Sequence, residues 1–143
     1  MVINNFIAKY TIAFFTTLFL IVYVLKIPQN LTGQIQLVRE YYYKNFVKSS
    51  VLDYIICLIY LLVGIYFINL SKNANIIRNI VTIFITSCII STGFYLYFNN
   101  TKPTQAFFSR WMRRAGFSAV IYDGIYLSII YFIYRYLTHE LNH

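Results

Sequence analysis

Two carboxylates fall where hydrocarbon is expected. Asp53 stands in "VLDYIICLIYLLVGIYFINL" (residues 51–70) and Asp123 in "AGFSAVIYDGIYLSIIYFIY" (115–134), each the only charge of its stretch. An ionised side chain in lipid is costly enough that such acids face other helices or a polar path, and they often mark proton or ion routes. Two roles compete for this pair. One is a structural lock, hydrogen-bonded among helices or neutralised by an arginine at the membrane edge. The other is a proton- or cation-coupled site.

Spacing says where the acids point. At 1.5 Å per residue, Asp123 lies about 9 Å deeper than Phe117, which follows the last arginines. Gly116, Ala119 and Asp123 share a narrow helical arc, and small-residue stripes let helices approach closely. Asp123 is therefore expected to face protein. Asp53, Cys57, Tyr60 and Gly64 share one side of a second helix, and Asn79, Thr82, Thr86 and Gly93 one side of a third. Tyr60, Thr82 and Thr86 thus join Asp53 and Asp123 as intramembrane polar candidates. A Tyr, Thr or Ser hydroxyl could donate to Asp123, and Arg113 or Arg114 could neutralise it; the sequence leaves the pairing open.

Enzymatic chemistry finds less support. "YDG" (122–124) resembles the Tyr-Asp of presenilin-type proteases, whose paired aspartates share a proton. The chain lacks their Gly-x-Gly-Asp and Pro-Ala-Leu elements and is short for their fold. His139 and His143 are terminal, so no metal site is expected from them. Cys57 and Cys88 read as small buried hydrophobes, with a disulfide between neighbouring helices left open. No phosphate loop, nucleophile elbow or metal-binding helix motif occurs. The expectation is a protein without catalytic residues, cofactor or metal.

The elements that must position these acids are membrane helices. Of 143 residues, 59% are hydrophobic and only 11% charged, against roughly 25% charged in soluble domains. That leaves too little polar side chain for a water-facing surface. The apolar residues come in blocks near the ~20 residues a spanning helix needs. Four spans are expected, at approximately 6–26, 51–70, 79–99 and 115–137, in one integral membrane domain covering 1–143. The first reads as a retained anchor, because no basic segment precedes it and "VLKIPQN" offers no cleavage site. Barrel strands would alternate in short segments, which these runs do not. The fold class is all-α, a four-transmembrane-helix bundle.

The net charge of +8 reads as an orientation signal and an attraction to anionic lipid; no basic soluble domain exists to bind nucleic acid. Lys26, Arg39, Lys44, Lys48, Lys102, Arg110, Arg113 and Arg114 lie in the two long connections. Lys9, Lys72, Arg78 and Arg135 lie at the other end. This asymmetry puts both long connections on the cytoplasmic side. Each connection also reads as an amphipathic interfacial helix. Leu31, Ile35, Val38, Tyr42 and Phe46 form one apolar face of residues 31–48. The second starts at Pro103, with Thr101 as its cap, and sets Phe107, Phe108, Trp111 and Met112 against Arg110, Arg113 and Arg114. Its aromatics would meet acyl chains and its guanidiniums phosphates; a continuous extension of the fourth span is the other possibility. Arg110, Trp111, Arg113, Arg114, Lys44 and Lys48 are the headgroup candidates.

"SSVLDYIICLIYLLVG" and "FFSRWMRRAGFSAVIYDGIYLSIIY" resemble small multi-span membrane proteins encoded by large DNA viruses with AT-rich genomes. That resemblance implies a virion or host internal membrane and no catalytic residues. The leading expectation is a non-enzymatic multi-pass protein, a structural or assembly component whose basic side meets anionic lipid or an acidic partner. The alternative is a small oligomeric transporter or channel using Asp53 and Asp123, since four spans are few for a solitary pathway.

Overall fold

A computed structural model describes residues 2–72 and 75–140; His143 lies outside them. Among the described residues the chain is helical and no strand occurs. Helix α1 (Val2–Leu18) runs into a wide π-helical turn, Phe19–Val24. Left-handed Lys26 (φ 52°) ends it, and Pro28 sits in the first turn of α2 (Ile27–Thr32), where its missing N–H costs nothing. The short α3 (Ile35–Val38) opens into a second π-helical turn, Arg39–Lys44. Three longer helices and one short one follow: α4 (Phe46–Ser71), α5 (Ile76–Asn100), α6 (Phe107–Ala115) and α7 (Phe117–Glu140). The Asn75 side chain caps α5 by accepting from the Ile77 and Arg78 amides, which have no intrahelical acceptor.

Four helical segments are long and apolar enough to cross a membrane: Asn4–Val24, Phe46–Ser71, Ile76–Asn100 and Phe117–His139. The four expected spans fall within them apart from residues 25–26 and 115–116. A helix suits this role because every interior backbone donor finds its acceptor within the segment, which hydrocarbon demands.

Helix α7 is the centre of the arrangement, packing most extensively on α5 and next on α1, while α4 lies against α5. Tyr10 of α1 reaches across to donate to the Tyr54 carbonyl of α4 at 2.6 Å. The α5–α7 approach is close because Gly124 has no side chain: a Cβ there would stand 2.8 Å from both Cys88 Sγ and Phe84 Cε2. Burial is uneven. The spanning windows of α1 and α7 are each 44% buried, those of α4 and α5 only 28% and 22%. The outward faces of the latter two are apolar, with Val51, Ile55, Ile59 and Tyr66 exposed on α4 and Ile77, Val81, Ile85 and Ile89 on α5.

Both connections depart from their expected course. Residues 31–48 do not form one helix, because left-handed Gly33 (φ 69°) breaks it and the π turn shifts the phase again. Leu37, Val38, Tyr41 and Tyr42 are buried instead, while Ile35 and Phe46 are 57% and 44% exposed. The second helix starts at Phe107 and not at Pro103. Thr104 and Ser109 hydroxyls accept from the Ala106 and Thr104 amides, each at 3.4 Å, holding the intervening chain in turns that compete with helix. Thr101 closes α5 and does not cap α6. Gly116 at φ 60° separates α6 from α7, so α6 is no extension of the fourth span. On α5 the buried stripe is Asn79, Ile83, Thr86, Ser87 and Ser91. The helix is turned to present serines to α7, and Gly93, placed by sequence on the inner face, is exposed.

Candidate functional site

Asp53 and Asp123 line the same cavity, a space of about 120 Å³. Each is half-buried and accepts a hydrogen bond from a hydroxyl. Tyr41 donates to Asp53 at 2.5 Å, and Ser91 donates to Asp123. Tyr42 adds a second hydroxyl to Asp53, and since a carboxylate offers about four lone-pair positions both acids keep accepting capacity beside open space.

The walls are aromatic. Ten of the sixteen lining residues are Phe, Tyr or Trp, and none is Lys, Arg or His. The connections deliver much of this wall. Tyr41 stacks on Phe107 with ring centroids 4.1 Å apart and planes within 14°, and Phe107 stacks in turn on Trp111 at 5.8 Å. Trp111 meets Tyr122 edge-on at 6.2 Å. Offset and edge contacts of this kind add about 0.5–1.5 kcal/mol each beyond simple burial. The Tyr42 and Tyr122 hydroxyls bond one another at 3.0 Å. One polar atom is left over: Tyr126, 3% exposed, lines the cavity and its hydroxyl has no hydrogen-bond partner.

The arginines take other work. Arg113 donates to the Thr101 carbonyl, Arg114 is exposed, and Arg110 forks onto both Glu40 carboxylate oxygens. Neither Arg113 nor Arg114 neutralises Asp123. The Arg110–Glu40 pair ties the two connections together at one end of the long helices. The hydrogen bond from Arg110 holds the Glu40 carboxyl below the usual carboxylate range, and Glu40 in turn raises Arg110. Because the folded value of Glu40 is depressed, the clamp is fully present above its unfolded pKa of about 4.3. It is lost as pH falls through the lower folded value. The distance distribution between spin labels at exposed positions 36 and 104 should stay narrow from about pH 5 to 8 and broaden only as pH falls below the usual carboxylate range, whereas in Glu40→Gln it should be broad throughout.

The remaining candidates divide. Tyr60, 5% exposed, belongs to the cavity wall. Thr86 is buried on α5, and Thr82 spends its hydroxyl on the Arg78 carbonyl of its own helix at 2.9 Å. Lys44 and Lys48 are exposed, as headgroup contact requires. Trp111 and Met112 are 5% and 4% exposed, so these side chains face protein and not acyl chains. Cys57 and Cys88 are free thiols, and Cys88 donates weakly to the Val120 carbonyl at 3.7 Å. Sequence spacing alone did not join Tyr41, Tyr42, Ser91, Tyr122 or Tyr126 to the two acids. The i, i+3 relation of Asp123 to Tyr126 was the one usable signal, since residues so spaced are neighbours on a helix.

No known protein family, curated protein or solved structure matches this chain.

Proposed function

We propose that the chain is a four-helix, multi-pass membrane protein that handles a proton or another cation at Asp53 and Asp123, without catalysing a covalent reaction. One observation carries this reading: two carboxylates from different helices border one cavity, and no basic side chain lines it. A structural lock would gain most by pairing the acids' charge with a basic side chain, and none lines the cavity. The exposed apolar faces of α4 and α5 suit lipid or a second copy, and self-association would supply the helices that a pathway through four short spans lacks. The exposed cations Lys44, Lys48 and Arg114 suit anionic headgroups, and the excess of Lys and Arg in the two connections supports a cytoplasmic position for them.

The second reading is a structural or assembly component of a viral or cellular internal membrane. It draws on the Tyr41–Asp53 and Ser91–Asp123 bonds, which join separate elements. Flux in proteoliposomes separates the two. Under an imposed gradient of protons, sodium, potassium or a quaternary ammonium ion, the wild type should pass one of these ions. Asp123→Asn should lose about tenfold or more of that flux while remaining inserted and folded. Unchanged flux in Asp123→Asn, or none in the wild type for all four ions, would reject cation handling and leave the structural role.

A further inference from the structure

An acid-lined cavity with aromatic walls is chemically particular. A hydrated inorganic cation is served by oxygen ligands, ordinarily six or more of them. Here the polar groups are two carboxylates and tyrosine hydroxyls, and most of the lining residues are aromatic. Aromatic faces are negative at their centres and attract a cation that carries little hydration, with quaternary ammonium groups as the established case. Carboxylates supply the opposite charge at longer range, and low surrounding polarity strengthens that attraction. No cationic side chain competes for either element among the lining residues. The free hydroxyl of Tyr126 adds one uncommitted donor and acceptor in the same wall.

We propose that this cavity binds an organic ammonium ion, seated between Asp53 and Asp123 with its substituents against Tyr60, Phe107 and Trp111. The inference rests on the cation-handling reading above and narrows the cation to one class. Size agrees: about 120 Å³ compares with the ~150 Å³ cavity that takes benzene, and suits a trimethylammonium group. The source of such a group is either a free amine or the choline head of a neighbouring lipid, since the wall is built partly from the connections that flank the membrane-spanning helices.

The chain carries its own reporter, because Trp111 is its single tryptophan and lines the cavity. Choline chloride titrated into the detergent-solubilised full chain should change Trp111 fluorescence saturably. 3,3-Dimethyl-1-butanol has the same shape without the charge and should bind about tenfold or more weakly. Asp53→Asn and Asp123→Asn should each weaken choline by about tenfold or more, and Tyr126→Phe, which removes only an unpartnered hydroxyl, should weaken it by several-fold with the fold intact. Calorimetry on the same samples guards against a bound ligand that leaves the indole unperturbed. Equal binding of choline and its neutral counterpart, no saturable choline binding by either method, or full affinity in all three variants would overturn the proposal. Reconstitution in phosphatidylglycerol with and without phosphatidylcholine then identifies the source. Competition by phosphatidylcholine marks the lipid head and its absence a free ammonium, either result upholding the site. If choline fails to bind while ion flux still depends on Asp123, organic-cation binding falls and the broader function stands.

Discussion

Trp111→Ala destabilises the folded protein by about 3 kcal/mol, read as a lower midpoint in detergent-titrated or thermal unfolding followed by circular dichroism. The value lies at the low end of the range for a buried tryptophan, for a physical reason. Where the unfolded side chain rests in detergent or lipid, its transfer out of water is not regained on folding. What is lost is the close contact between atoms and the ring interactions with Phe107 and Tyr122. A tryptophan serving only as a headgroup anchor would tolerate this change within about 0.5 kcal/mol, as exposed positions do. A shift that small would show that the indole does not sit between the two connections and α7.

Gly124→Ala comes next, with an expected net loss of about 1–2 kcal/mol in the same measurement. The added methyl would stand 2.8 Å from Cys88 Sγ and from the Phe84 ring, and that ring has no free end to swing aside. Overpacking of this kind costs about 1–3 kcal/mol, while alanine regains up to about 1 kcal/mol of helix preference over glycine. Gly64→Ala provides the internal comparison. Its methyl collides with the terminal Cδ1 of Ile83, which a rotamer change relieves. The two terms then nearly cancel and the midpoint should move little. Gly124→Leu should go further and part α5 from α7, taking the Ser91–Asp123 bond with it. Equal tolerance of alanine at positions 64 and 124 would mean that the α5–α7 approach is looser than drawn.

What could be read before any coordinates was decided by the solvent. Hydrocarbon imposes long uninterrupted apolar helices, so the four segments announced themselves, and Pro28 marked the end of the first. The inward orientation of Asp123 followed from Gly116 and Ala119, because a charge and a small-residue stripe belong on the same side. The connections were harder. Their aromatic residues satisfy two environments equally well, and nothing in "REYYYK" distinguishes rings lying among headgroups from rings inserted between helices. The outcome depends on a phase set by Gly33 and by one wide π-helical turn, both of which break the periodic reading. The choice among three arginines was equally closed to sequence, since Glu40 lies seventy positions from Arg110 and only the folded chain brings them together.

The separation in sequence of each acid from its hydroxyl donor bears on how the molecule can be made. Tyr41 stands twelve positions before Asp53, and Ser91 thirty-two before Asp123, so each donor precedes its acceptor on the same half of the chain. As the nascent polypeptide is threaded into a bilayer, the first carboxylate can be escorted by a tyrosine already synthesised, long before the later helices exist. The second arrives with its serine likewise in place. Each hairpin can therefore be integrated with its acid already chaperoned from within, and the chamber between the acids comes into being only when the two hairpins meet.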